Sequence, residues 1–255
     1  MSDYHTQARS IPTGRADMAV DAGLRKFMLG VYNKMALGLL VSAVLAYASI
    51  AVEPLRAFFF GVPFGSSPMI YVVMFGPLAL IFISMFAMRN PSPTGANLLY
   101  WSIVGLIGIG LGVTLMVYGG RAGGMTDIMK AFLVTSATFG GLSLWGYTTK
   151  KDLSGWGTFL IMGVWGLVLA SLVNFGFAAF TGQPIENFSF IISIVGVLLF
   201  SAITAWETQQ LKYMYYDISG NERAMSVATT LGALNLYITF INLFRFFLTL
   251  LSSRE

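Results

Sequence analysis

The chain has 255 residues, of which 56% are hydrophobic, 15% aromatic and only 10% charged. Because soluble globular domains carry about 25% charged residues, this composition excludes an ordinary soluble domain and indicates an integral membrane protein. The net charge of +4 is interpreted as a topology signal, since the basic residues lie mainly in short loops, and no nucleic-acid partner is predicted. The sequence has no cysteine and a single histidine, His5, in a polar tail, which excludes metal sites built from those residues.

Residues 1–24 are polar and are predicted to form a flexible tail on the cytosolic side. They contain Pro12 and Gly14, and they lack the short apolar core and small-residue cleavage site of a signal peptide. Residues 25–255 are predicted to form one transmembrane domain, because every later loop is too short to hold a second domain.

Seven apolar segments follow the tail, each near the ~20 residues that a helix needs to cross the hydrocarbon core. They predict an all-α bundle of seven transmembrane helices. In chain order the segments are Met35–Val52, Met69–Met88, Leu98–Tyr118, Ile128–Tyr147, Trp156–Phe180, Phe188–Leu211 and Leu231–Leu251. The residues between them are predicted to be connections, including a loop opened by Glu53, a turn over residues 89–95 and a polar stretch over residues 212–226.

The basic residues predict the orientation of the bundle. With the N-terminus inside, ten of them fall on the inner side and four on the outer side, while Arg245 lies inside the last span. This excess predicts a multi-pass protein of the cell (inner) membrane with a cytosolic N-terminus and an outer C-terminus. The inner set is Arg9, Arg15, Arg25, Lys26, Lys34, Arg89, Lys150, Lys151, Lys212 and Arg223, and the outer set is Arg56, Arg121, Lys130 and Arg254.

Glu207 is an acid inside the sixth apolar segment, and an intramembrane carboxylate marks a functional site by default. Ser193, Gly196, Thr204 and Glu207 fall on one helical face, which favours a polar crevice over lipid contact. The alternative is a hydrated acid at the inner headgroups, because Lys212 follows only five residues later.

The seventh segment carries a polar stripe of Asn235, Thr239 and Asn242 at positions i, i+4 and i+7. We expect this stripe to face Glu207 across the helix pair. The alternative is a set of ordinary hydrogen bonds between helices, which also accounts for Asn174 in the fifth segment.

Three basic residues near the spans have two interpretations each. Arg89 closes the second segment and is either a positive-inside anchor or an ion-pair partner of Glu207. Arg245 and Lys34 either extend to the membrane surface or act as counter-charges beside a pathway.

Catalytic motifs are absent from the sequence. There is no H-E-x-x-H, no G-x-S-x-G and no histidine in any span, so the chain is not predicted to be an enzyme. The glycines at 105, 108, 110 and 112 do not have nucleotide-loop spacing and are interpreted as sites of close helix packing.

Three stretches together resemble the Bax inhibitor-1 family of membrane proteins, which includes bacterial members. They are residues 139–154 (FGGLSLWGYTTKKDLS), 206–212 (WETQQLK) and 236–244 (LYITFINLF). The resemblance implies six helices around a central seventh. It also implies a pH-sensitive calcium leak that is gated by carboxylates on helices six and seven and by an arginine at the end of helix two.

On this resemblance, Glu207 stands in the place of the sixth-helix acid and Arg89 in that of the arginine. Thr239 stands where the seventh-helix acid is expected, so the chain cannot form the pair of carboxylates that share one proton. Asn235 and Asn242 match neighbouring polar positions, and either could bond Glu207.

The sequence therefore predicts a passive cation pathway, with Ca²⁺ as permeant ion and no cofactor, closed by a Glu207–Arg89 latch. Glu207 is the predicted cation ligand, since a hard carboxylate oxygen suits Ca²⁺, and Thr204 lines the pathway. The alternative is a regulator that binds a membrane protease or a stress or cell-death partner through residues 1–24 without conducting ions. An ion- or proton-coupled transporter is less favoured, because no inverted repeat is found.

Overall fold

The structure is a computed structural model and describes residues 22–87, 91–183, 185 and 187–252. Over these residues the chain is helical and contains no strand, so the predicted all-α class is confirmed. A 3₁₀ turn, Ser154–Trp156, precedes the sixth helix. The α-helices are α1 (Ala22–Ala51), α2 (Glu53–Phe60), α3 (Met69–Ala87), α4 (Pro93–Gly119), α5 (Gly124–Thr148), α6 (Gly157–Thr181), α7 (Phe188–Ile218) and α8 (Glu222–Ser252).

Six helical stretches of the described chain are long and apolar enough to cross a membrane. They correspond to α1, α4, α5, α6, α7 and α8. The second predicted span is α3, which has 19 residues and is not among these six. The total of seven spans therefore stays a prediction.

Two predicted connections are wrong in the structure. The loop opened by Glu53 is the helix α2, because Pro54 occupies the first turn, where a missing N–H costs no helical hydrogen bond. The polar stretch over 212–226 is also mostly helical, since α7 continues to Ile218 and α8 begins at Glu222. Each of these two helices has 31 residues, or ~46 Å, and extends beyond a ~30 Å hydrocarbon core.

The helix α8 packs against α1, α4, α5 and α7. Half of the residues in its most apolar part are buried, compared with 11% for the most apolar part of Ser154–Ala178, the stretch that covers α6. The central position of the last helix nevertheless stays a prediction, as does the cytosolic position of the N-terminus.

Glycines bring helix backbones close together. A Cβ at Gly108 of α4 would lie 2.8 Å from the Cα of Ser42 in α1. A Cβ at Gly146 of α5 would lie 2.9 Å from the Cα of Ala205 in α7. The small residue is required at both positions because the obstructing atoms belong to backbone, which supports the packing interpretation for Gly108. The packing interpretation is wrong for Gly105, because nothing lies within 4 Å of its Cβ position.

Neighbouring helices run so that α5 and α7 end, and α4, α6 and α8 begin, at the same end of the bundle. We call this the inner end, after the predicted orientation, and the opposite one the outer end.

Candidate functional site

Glu207 and Thr239 meet between α7 and α8. The Thr239 hydroxyl donates a hydrogen bond of 2.8 Å to Oε2 of Glu207. Thr239 is 3% exposed, and Glu207 is partly buried. The acid thus points to the neighbouring helix, at the residue where the resemblance expects a second acid.

Thr204 lies one helical turn before Glu207 and is fully buried. Its hydroxyl donates to the carbonyl of Phe200 in its own helix, at 2.8 Å. Thr208 on the same helix donates to the Thr204 carbonyl at 2.9 Å, and its hydroxyl oxygen lies 3.3 Å from the Ser143 hydroxyl of α5. Thr204 is therefore a buried neighbour of the acid without a bond to it.

The two asparagines of the polar stripe are separate from the acid. The Asn242 side chain donates to the Ile238 carbonyl at 3.0 Å and is partly buried. Asn235 is exposed and lines a cavity. Over the part of the chain that the structure describes, the recorded side-chain bond to Glu207 comes from Thr239 alone.

Arg89, the predicted partner of Glu207, lies outside the described residues. So does the tail of residues 1–21, which covers most of the predicted partner-binding segment.

An inner cavity of about 630 Å³ opens between the end of α7 and the start of α8. Leu211, one turn beyond Glu207, and Asn235, one turn before Thr239, line it, and so does Pro91 from the start of the α4 segment. The cavity thus reaches to within one helical turn of the Glu207–Thr239 bond along both helices.

An outer cavity of about 460 Å³ lies between the same two helices and the ends of α4 and α6. Ser193 of α7 and Arg245 of α8 line it. Between this cavity and Thr239, the Phe200 and Phe246 rings are in contact, with centroids 5.7 Å apart. A Cβ at Gly196 would lie 2.6 Å from the Phe246 ring, so the packing here is tight and apolar.

Gln209 and Lys212 have structural contacts that the sequence interpretation missed. The Gln209 side chain accepts from the Leu153 amide and donates to the Lys151 carbonyl, both at 2.7 Å. The buried Lys212 ammonium donates to the Tyr147 carbonyl at 2.7 Å. These contacts fix the α5–α6 connection to α7, and the signal for them was the polar run WETQQLK inside an apolar helix.

The same connection holds an acid outside the spans. The Ser154 amide donates to the Asp152 carboxylate at 2.9 Å. The hydrogen bonds from Ser154 hold the pKa of Asp152 below its usual value, because they stabilise the ionised form.

Lys34 of α1 points into the bundle. Its ammonium bonds the side chains of Asn97 in α4 and Thr230 in α8, the latter at 2.8 Å. It also lies 5.5 Å from the centre of the Tyr100 ring. These contacts join three helices, so Lys34 acts as an internal polar link in place of extending to the surface.

The capacity of the site for a cation rests on Glu207. Within the described residues, no group of three or more histidine, aspartate or glutamate side chains gathers at one place. One carboxylate with neighbouring hydroxyl and carbonyl oxygens suits transient contact with a hard cation more than tight binding.

Comparisons with known proteins cover nearly the whole chain. A family model described as "Inhibitor of apoptosis-promoting Bax1" matches residues 24–255. An uncharacterised protein of Caulobacter vibrioides is 52% identical over 98% of this chain and 97% of its own length. One of Rickettsia prowazekii is 37% identical over the full length of both chains. The inner membrane protein YbhL of Escherichia coli K12 is 35% identical over 94% of this chain and 98% of its own.

Proposed function

Because the chain belongs to the Bax inhibitor-1 family of membrane proteins, we propose that it forms a pH-sensitive passive leak for cations, with Ca²⁺ as the permeant ion. The family assignment made from three sequence stretches is confirmed. The proposed pathway follows α7 and α8, enters from the cytosolic side and passes Glu207. The proposed architecture is seven spans with the last helix at the centre.

The hydrogen bond between Glu207 and Thr239 carries this proposal. It joins the two helices at the two positions where the resemblance implies paired acids. A threonine hydroxyl can donate to an ionised carboxylate and accept from a protonated one, so the contact survives in both states. The bond is stronger to the ionised form. Protonation therefore changes the charge at this point more than it changes the contact.

The closed state is proposed to depend on an ion pair between Glu207 and Arg89. Pro91 lines the inner cavity together with Leu211, one turn from the acid. Arg89 precedes Pro91 by two residues, a reach of ~7 Å of backbone, and its side chain adds further length. Protonation of Glu207 would remove the ion pair.

The apolar contact of Phe200 with Phe246 is the proposed barrier between the inner and outer cavities. A hydrophobic constriction of this kind stops ions by excluding water. In the proposed cycle, loss of the ion pair lets α7 and α8 shift so that these rings separate and water connects the two cavities.

Calcium flux into liposomes that hold the full chain tests the leak. The wild-type rate is expected to rise as pH falls, and Glu207→Gln is expected to leak at a rate that pH does not change. Glu222→Gln is the matched control, because it removes an exposed acid from the first turn of α8 at the same end. A Glu207→Gln variant that keeps the wild-type pH profile removes the latch from the mechanism, and no flux in any variant removes the leak.

Thr239→Asp sharpens the same assay. Two acids within hydrogen-bond distance share one proton, so this variant is expected to titrate in two separated steps and to respond more steeply to pH. A Thr239→Asp profile that overlays the wild-type profile would show that position 239 takes no part in gating.

A regulatory role without conduction is the second candidate. The lengths of α7 and α8 exceed the hydrocarbon core, so their inner ends offer a rigid platform beside the fixed α5–α6 connection. A membrane protease or a stress-response partner would contact this platform and residues 1–24. Crosslinking in membranes with and without residues 1–24 separates the roles: capture that needs the tail, together with absent flux, favours regulation.

A further inference from the structure

Arg245 is a charged residue inside the last helix, seven residues or ~10 Å before its described end. Its side chain is exposed, and it lines the outer cavity of about 460 Å³. A charged side chain within a membrane helix usually pairs with another charge or with polar groups. The position therefore calls for a partner of opposite charge.

The described part of the chain supplies no such partner. Its two ion pairs join Arg56 to Glu53 and Lys130 to Asp127. No carboxylate is found among the residues that line the outer cavity. A guanidinium group inside an apolar helix is costly when it is unpaired, so the cavity beside Arg245 favours an anion as its occupant.

The cavity wall offers hydrogen-bond donors beside the guanidinium. Ser171 and Asn174 of α6 and Ser189 of α7 contribute polar groups. The Asn174 amide donates to the Ser189 hydroxyl at 3.0 Å and accepts from the Ile185 amide at 3.1 Å, so these groups are fixed in place. Serine hydroxyls can rotate to donate to a bound oxygen.

A second guanidinium lies beside one residue of the cavity wall. Tyr118 lines the wall, and Arg121 lies over its ring at 5.1 Å from the centre. Two guanidinium groups and several hydroxyls offer many hydrogen-bond donors. They match a group with three or four acceptor oxygens better than a group with two acceptor oxygens. This composition points to phosphate over carboxylate.

We propose that the outer cavity binds a phosphate group, held by Arg245 with Arg121 at the rim. The phosphate belongs either to an anionic phospholipid headgroup or to a phosphate-bearing solute. This inference does not rest on ion conduction, and its test measures binding alone.

The test is the thermal unfolding midpoint of the full chain in detergent, titrated with three probes. They are inorganic phosphate, a short-chain phosphatidylglycerol, and an uncharged acylglycerol with the same chains. Saturable stabilisation is expected from a phosphate-bearing probe. A response to both phosphate probes identifies the phosphate group itself as sufficient, and a response to phosphatidylglycerol alone identifies a lipid headgroup.

Arg245→Gln is expected to weaken the apparent affinity by about tenfold or more, because it removes the bidentate contact. Arg245→Lys keeps the positive charge but cannot make the bidentate contact of a guanidinium group, and Arg121→Gln removes the charge at the rim. Both variants are therefore expected to lose less affinity than Arg245→Gln. Arg56→Gln is the matched control, because it removes an exposed arginine from the same end that is already paired with Glu53.

Three results would overturn the proposal: no saturable stabilisation, an equal response to the uncharged acylglycerol, or equal affinities for Arg245→Gln and the wild type. If Arg245→Gln does not fold, Arg245→Lys and Arg121→Gln decide the question, and wild-type affinity in both would overturn it.

Discussion

The inner and outer ends of the α7–α8 pair satisfy their polar groups in different ways. At the inner end, Glu207 accepts from Thr239, Gln209 bonds two backbone groups, and Lys212 donates to a carbonyl. At the outer end, the Arg245 guanidinium lines a cavity and has no carboxylate partner within the described residues. Within the described residues, the inner end is fixed by the protein's own contacts, whereas the proposed phosphate would complete the outer end. We therefore expect inner-end substitutions to act on stability and outer-end substitutions to act on binding.

The largest effect is expected from Gln209→Leu. Gln209 is fully buried, and its side chain satisfies the Leu153 amide and the Lys151 carbonyl. Leucine would leave both backbone groups without this partner, so the free energy of unfolding should fall by about 3 kcal/mol. Reversible unfolding of the purified protein in mixed micelles measures this change.

Gln210→Leu is the control for that experiment, since it changes the same residue type one position later. The Gln210 amide donates to the Ser154 hydroxyl at 3.2 Å in an exposed contact, so the expected loss is below ~1 kcal/mol. Equal losses for both variants would mean that the connection is not fixed by Gln209, and the inner end would then be no more constrained than the outer one.

Gly146→Ala is expected to cost about 2 kcal/mol, because the added methyl would overlap backbone atoms of Ala205 that cannot rotate away. Gly140→Ala in the same helix is the matched variant: nothing lies within 4 Å of its Cβ position, so better helix propensity should raise stability by up to ~1 kcal/mol. Stability changes of opposite sign for Gly146→Ala and Gly140→Ala in the same unfolding assay would show that the requirement for glycine lies at the inner α5–α7 contact. A loss at both positions would instead indicate a general intolerance of α5.

The sequence pattern predicted the helices and the contact between Glu207 and the last helix. It did not identify which residue of the last helix bonds Glu207. Apolar length and the polar stripe are local signals, so they indicated which helices form and which face is polar. The polar stripe showed which face of the helix is polar, but it did not show which single residue on that face contacts Glu207. At 3.6 residues per turn, Asn235 lies about 40° and Asn242 about 60° from Thr239 around the helix. This rotation is enough for Thr239 alone to bond Glu207.

The polar run WETQQLK signals that Gln209 and Lys212 have polar contacts, but the sequence cannot identify the groups that they bond. Their partners are backbone groups 56 to 65 residues earlier in the chain, and a backbone amide or carbonyl has no identifying side chain. The same residues explain why residues 212–218 are helical instead of a loop. Once Lys212 is bonded and buried, α7 can continue past the last apolar residues.

The smallest effect is expected from Thr239→Val, which removes the hydroxyl that bonds Glu207 and keeps the shape of the side chain. Hydrogen bonds between membrane helices contribute ~0.6 kcal/mol on average and more when one partner is charged, so a loss of about 1 kcal/mol is expected. Thr204→Val is the matched change on α7. The Phe200 carbonyl that accepts from this hydroxyl keeps its helical backbone bond, so the expected loss is near zero.

The difference between the stability losses of Thr239→Val and Thr204→Val, measured at several pH values, tests most directly whether Glu207 changes its charge. The Thr239 hydroxyl bonds an ionised carboxylate more strongly than a protonated one, so Thr239→Val should cost more at alkaline than at acidic pH. The Thr204→Val cost should not change with pH, because its bond joins two uncharged groups. A Thr239→Val cost that is also constant across pH would show that Glu207 keeps one protonation state throughout. The charge at the inner end would then be as fixed as the backbone contacts around it, and no proton could operate the proposed latch.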